Sequence, residues 1–147
     1  MKPMKNILSV LSSLAAFAIL ISISSCGGGG GGDTTPDMSA LLKSGTWKVN
    51  TVTVNGANEL DMFTGLTVNF GASSFTSTNG DPVWPSSGTW TLNAAAKTIS
   101  RGDGLVITVG NNISETALTL TLDWAQTTLG GGRIGSIEGE HIFTFGK

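Results

Sequence analysis

Leu118-Thr119-Leu120-Thr121-Leu122-Asp123-Trp124 alternates apolar and polar residues without a break. A period of two places Leu118, Leu120, Leu122 and Trp124 on one face of an extended strand, with Thr119, Thr121 and Asp123 on the other. A helical period of 3.6 does not satisfy that order. The same alternation recurs along the chain. Leu105, Ile107 and Val109 form one set, and Ile99 sits between Thr98 and Ser100. Trp90 and Leu92 alternate with Thr89, Thr91 and Asn93, Phe75 lies among Ser74, Thr76 and Ser77, and Leu66, Val68 and Phe70 alternate with Thr67 and Asn69. Phe143 and Phe145 flank Thr144. The first set begins with Trp47 and Val49 and continues out of phase in Val52 and Val54, a slip near Thr51 that predicts a bulge or bend. Eight strands with one apolar face each predict an all-β sandwich or closed barrel.

Connection lengths separate these two. Residues 55–65, 79–87 and 125–136 are long odd-to-even connections, and only Gly102-Asp103-Gly104 is short. The even-to-odd connections, residues 71–73, 94–97 and 110–116, are shorter. In an up-and-down antiparallel barrel alternate loops share an end, so the long loops gather at one mouth and the tight turns at the other. The expected fold is that barrel, over residues 40–147. A short helical turn precedes it, with Asp37 as its cap and Gly45 at its C-terminal side.

The N-terminal third reads as address and tether. Lys2 and Lys5 precede an apolar, uncharged run over residues 7–23, interrupted by serines and slightly short for a membrane span. Ile23-Ser24-Ser25-Cys26 resembles the lipobox of bacterial lipoproteins, and Cys26 is the chain's only cysteine. The resemblance implies removal of residues 1–25 and acylation of Cys26. More than one acyl chain makes a stable anchor. Gly27 in the next position does not favour inner-membrane retention, so the expected location is the outer membrane, on either face. Residues 26–39, with six consecutive glycines, form a flexible tether spanning on the order of 20 Å. Loss of Lys2 and Lys5 leaves six basic and ten acidic residues, a net charge of −4 (6 − 10). Such a chain has no basic patch for nucleic acid. Charged residues are 12% of the whole, and hydroxyl-bearing residues replace them on the outward faces.

Leu41-Leu42-Lys43-Ser44-Gly45-Thr46-Trp47 resembles the opening of lipocalin-like barrels, where a short helical turn leads into G-x-W at the start of the first strand. Trp84-Pro85-Ser86-Ser87-Gly88-Thr89-Trp90 is similar to a mid-domain motif of small lipocalin-like lipoproteins of Gram-negative bacteria. The resemblance implies that Trp47 lies across the closed end of the barrel, with a basic side chain near the end of the last strand packed over it. Lys147 is the nearest candidate. Lipocalins continue into an α-helix after the barrel, and the residues up to Lys147 offer none.

Few residues invite chemistry. His141 is the only histidine, close to Glu138 and Glu140, but zinc and its relatives want several imidazole or thiolate ligands. It reads as a surface residue, with no metal and no cofactor. Arg101-Gly102-Asp103 matches an integrin tripeptide and reads more simply as a hairpin turn. Asn112-Ile113-Ser114 is a sequon without expected use in such a protein. Glu59 with Asp61, or Asp81 with Asp103, are acids in loops, and no nucleophile elbow is present. No catalytic residue is assigned, and the chain is not expected to be an enzyme.

Two functional expectations remain. The first is a binding module whose cup holds a small uncharged apolar ligand, because Arg101 and Arg133 fall in turns and the inward set is neutral. Met62, Phe63 and Trp84 are then the ligand contacts at the mouth, while Trp47, Trp90 and Trp124 are structural. The alternative is a filled barrel, with Trp84 folded back as a plug, acting as a structural or interaction protein of the envelope through glycan or protein contacts at its loops.

Overall fold

The computed structural model describes residues 37–147 apart from 127, 131 and 132, and apart from the side chains of 128–130 and 133–135. Cys26, residues 1–25 and most of the tether lie outside the described residues.

A five-residue helix, α1 (Met38–Leu42), opens the domain. Asp37 caps it by accepting a hydrogen bond from the Ser39 N–H at 3.1 Å. Lys43, not Gly45, is its C-terminal cap, and Gly45 (φ +151°) follows as the bend into the first strand. The strands are β1 (Thr46–Val54), β2 (Ala57–Asn58), β3 (Thr67–Phe70), β4 (Ser74–Thr78), β5 (Ser87–Asn93), β6 (Thr98–Arg101), β7 (Val106–Val109), β8 (Ala117–Trp124), β9 (Thr128–Gly130), β10 (Arg133–Ser136) and β11 (Gly139–Gly146). A 3₁₀ turn, Leu60–Phe63, follows β2.

The order β11-β8-β7-β6-β5-β4-β3-β1 is closed by pairing of β11 with β1, every pair antiparallel. This is a closed eight-stranded up-and-down barrel. β2 adds two residues beside β1, and β9 and β10 pair with each other inside the last long connection. The eight strands are those the alternation marks. The register between β1 and β11 shifts between Val49↔Phe145 and Thr51↔Thr144. One extra residue on β1 lets Trp47 on one side of the bulge and Val52 and Val54 on the other all point inward. Asn55 (φ +50°) and Gly56 (φ +82°) make the two-residue turn into β2, the left-handed pair that suits strand twist.

Connections 55–66, 79–86, 102–105 and 125–138 lie at one end, and 71–73, 94–97 and 110–116 at the other. α1 belongs to the second, closed end. There Leu42 is fully buried, and its carbonyl accepts a hydrogen bond from the Trp47 indole N–H at 2.9 Å. Lys147 Nζ sits 4.4 Å from the centroid of the Trp47 ring and donates to Ser44 Oγ. An ammonium over an indole face is attractive by about 0.5–1 kcal/mol at exposed sites.

Candidate functional site at the long-loop end

The loop 79–86 does not frame an open mouth but enters the barrel. The Trp84 N–H donates to the Gly80 carbonyl at 2.7 Å, turning the chain back on itself. Gly80 permits this, since a Cβ there would meet Trp84 Cβ at 2.5 Å and Leu66 Cδ1 at 2.7 Å. Ser77 Oγ donates to the Trp84 and Pro85 carbonyls at 3.0 and 2.8 Å, fixing the inner arm of the loop. The Trp84 indole is 0% exposed and meets Phe75, Phe143 and Phe145 edge-on at centroid distances of 5.9, 6.0 and 6.4 Å. Such edge-to-face pairs add about 0.5–1.5 kcal/mol each beyond area burial.

The 3₁₀ turn closes the end next to it. It buries Phe63, whose ring lies 5.0 Å from Phe143 and 6.0 Å from His141. Met62 is half-buried beside it. Of the three residues expected at the mouth, Met62 stays partly at the rim, while Phe63 and Trp84 are interior packing. Side chains that line an empty cup keep accessible surface. Val52, Trp84, Ile99, Ile107, Leu120 and Phe143 keep none.

Arg101 departs from its expected place in a turn. It is the last residue of β6 and shares the inward phase of Ile99. Its side chain is 2% exposed. The guanidinium stands 5.5 Å from the Trp84 ring and 5.7 Å from the Phe75 ring, and Nη1 donates to the Val83 carbonyl at 2.6 Å. Nε donates to Asp103 Oδ1 at 3.2 Å and Nη2 closes a salt bridge to Oδ2, making a two-point pair. The barrel interior therefore holds a cation, already matched within the Arg-Gly-Asp turn. The Arg101 hydrogen bond, aided by the Leu105 N–H, holds the Asp103 carboxyl below the usual carboxylate range. Asp103 thus pairs with Arg101, and Glu59 and Asp61 remain on the first long loop.

His141 is also corrected, from surface to core: it is 0% exposed and stacks on Phe143 at 5.9 Å with an interplanar angle of 18°. Glu140 does face the opposite side. Nδ1 lies 3.0 Å from the Gly139 carbonyl, so the neutral ring donates from Nδ1. Nε2 has no hydrogen-bond partner among the described residues. Burial pushes the imidazole pKa below 6.5, against the smaller opposing effects of the Gly139 carbonyl and Asp123. The spacing His141, Phe143, Phe145 carried this signal in the sequence.

Trp47 and Trp90 are buried, and the Trp90 indole donates to the carbonyls of Gly71 and Ser74 at 3.2 and 3.1 Å. Trp124 differs. It ends β8 on the inward phase but is only half-buried, at the rim. Its indole N–H donates to Ser136 Oγ at 3.1 Å. A cleft of about 350 Å³ lies against it.

Charge is sorted by end. Glu59, Asp61, Asp81, Asp103, Asp123, Glu138 and Glu140 all lie at the long-loop end. The described lysines, Lys43, Lys48, Lys97 and Lys147, all lie toward the closed end, with Asp37 and Glu115 among them. Among the described residues no three His, Cys, Asp or Glu side chains gather as a metal site, and no helix is long and apolar enough to cross a membrane. Comparison with protein-family models, curated proteins and solved structures finds no match to the chain. The fold defines its class, a closed eight-stranded up-and-down barrel with a capped closed end and loops packed into the other.

Proposed function

We propose that this chain is a lipid-anchored protein of the bacterial cell envelope, without enzymatic activity, whose filled barrel is a rigid scaffold presenting its long-loop end to a partner. The observation that carries the reading is Trp84, a loop residue fully buried among Phe75, Phe143, Phe145 and Arg101. A barrel so occupied offers recognition through its surface rather than through a cup. The lipobox-like run ending at Cys26 supports the anchor, with the outer membrane as its expected location.

The charge distribution supports an orientation. The tether enters at the closed end, where all four described lysines lie. An anionic membrane surface attracts each nearby lysine by about 1 kcal/mol. The acidic long-loop end then faces away, toward its partner.

Two measurements test the reading. Cys26→Ala should abolish membrane fractionation and acyl mass, and mature protein with an unmodified Cys26 would refute the anchor. Titration of the full-length protein with an uncharged apolar fluorophore such as N-phenyl-1-naphthylamine should give no saturable binding. Stoichiometric uptake that shifts Trp84 emission would refute the filled scaffold and restore the ligand-holding cup.

A further inference from the structure

Two clefts meet at Asp103. The one of about 350 Å³ runs from Asp103 and Leu105 to Asp123, Trp124 and Gln126. The other, of about 260 Å³, lies across Asp103 beside Pro85, Ser87 and Thr89. The larger is the size of a small-ligand pocket, and the two share Asp103 in their linings.

Their chemistry is specific. The Trp124 N–H is already spent on Ser136 Oγ, which in turn donates to the Gln126 carbonyl at 3.0 Å. What Trp124 offers the cleft is therefore apolar ring surface, held still by that chain. Asp103 is fixed by Arg101 and the Leu105 N–H, yet is 49% exposed and keeps acceptor capacity. Asp123 and Gln126, in the same lining, are exposed. A sugar ring matches this pattern, with an apolar C–H face to lie on an indole and hydroxyls to donate to carboxylates. A small organic cation matches it less well. Arg101 already compensates Asp103 and itself lines the second cleft, where Ser87 and Thr89 add neutral hydroxyls. The surrounding acids disfavour anionic sugars.

We propose that these clefts form a binding site for a neutral oligosaccharide, with one ring on Trp124 between Asp103 and Asp123 and the next toward Pro85, Ser87 and Thr89. This rests on the reading of the long-loop end as the recognition face, and it names the class of partner.

The test titrates full-length protein with neutral tetrasaccharides of glucose, mannose, galactose and N-acetylglucosamine, read by tryptophan fluorescence and saturation-transfer NMR. Saturable binding of at least one is expected. Trp124→Ala should weaken it about tenfold or more. Asp123→Lys, a change of an exposed side chain, should do the same at wild-type melting temperature. No saturable binding of any tetrasaccharide up to about 10 mM would overturn the proposal. So would affinity unchanged in Asp123→Lys, or competition by tetramethylammonium. Failure of this panel while apolar probes stay excluded removes only the saccharide site. Sugar binding sensitive to Trp124 in a barrel that also takes up the fluorophore keeps the site and removes the filled scaffold.

Discussion

Replacing Trp84 by alanine removes an indole with no accessible surface, three aromatic neighbours and a guanidinium over its face. Loss of a large aromatic from a packed core costs about 3–5 kcal/mol, transfer and cavity together. The upper half of that range applies. The rings of Phe75 and Phe143 come from strands locked in a closed barrel and cannot collapse inward. Arg101 also stays buried with less cover. A domain of this size has only about 5–15 kcal/mol in hand. At about 4 °C per kcal/mol the melting temperature should drop by roughly 16–20 °C. Trp84→Phe should recover part of this. Differential scanning calorimetry of both variants against wild type measures it directly. A rim tryptophan waiting for ligand would instead cost within about 0.5 kcal/mol. A Trp84→Ala melting point within about 2 °C of wild type would therefore refute the plug and the packing argument behind it.

Trp47→Ala at the closed end should cost about 3–5 kcal/mol, while Lys147→Met should cost no more than about 1 kcal/mol, both read by thermal melts. His141 has its folded pKa below the unfolded value of 6.5, so the unfolded chain binds the proton first. Stability should be level above that value and fall as pH drops from 6.5 toward the folded pKa, a slope that denaturant titrations should find missing in His141→Phe. Asp103 has a linkage of the same sign in a more acidic window, contributing stability above 3.8 that is lost as pH falls below it through the lowered folded value. Asp103→Asn leaves a buried guanidinium short of its counter-charge. It should cost about 1–2 kcal/mol, limited by the exposure of the carboxylate, and Arg101→Ala should cost more.

The strands were legible because each carries its own period. Even the bulge in β1 showed as a phase slip between Val49 and Val52, since one extra residue is the only way both can face inward. Lys147 over Trp47 came from a likeness in the motif rather than from spacing, and the geometry agrees. The candidate site was harder to read. Trp84 sits in a stretch with no period, and whether a loop indole points out or in depends on the space left by strands far away in the chain. Arg101 belongs both to β6 and to a good turn sequence, and its charge hid the fact that it keeps step with Ile99. His141 was masked by neighbouring acids that face the other way. Trp124 was read as one more core residue because strand phase says which face, not how near the rim.

Pairing of β11 with β1 brings Gly146 opposite Lys48, so the two ends of the described domain are neighbours. A fluorescent protein or affinity tag added after Lys147 will emerge beside the tether and report on that side only. A reporter for the far side has to be inserted into a loop such as 125–138. The same adjacency invites circular permutation: joining the two ends and reopening the chain at the exposed 94–97 turn would keep every strand pair.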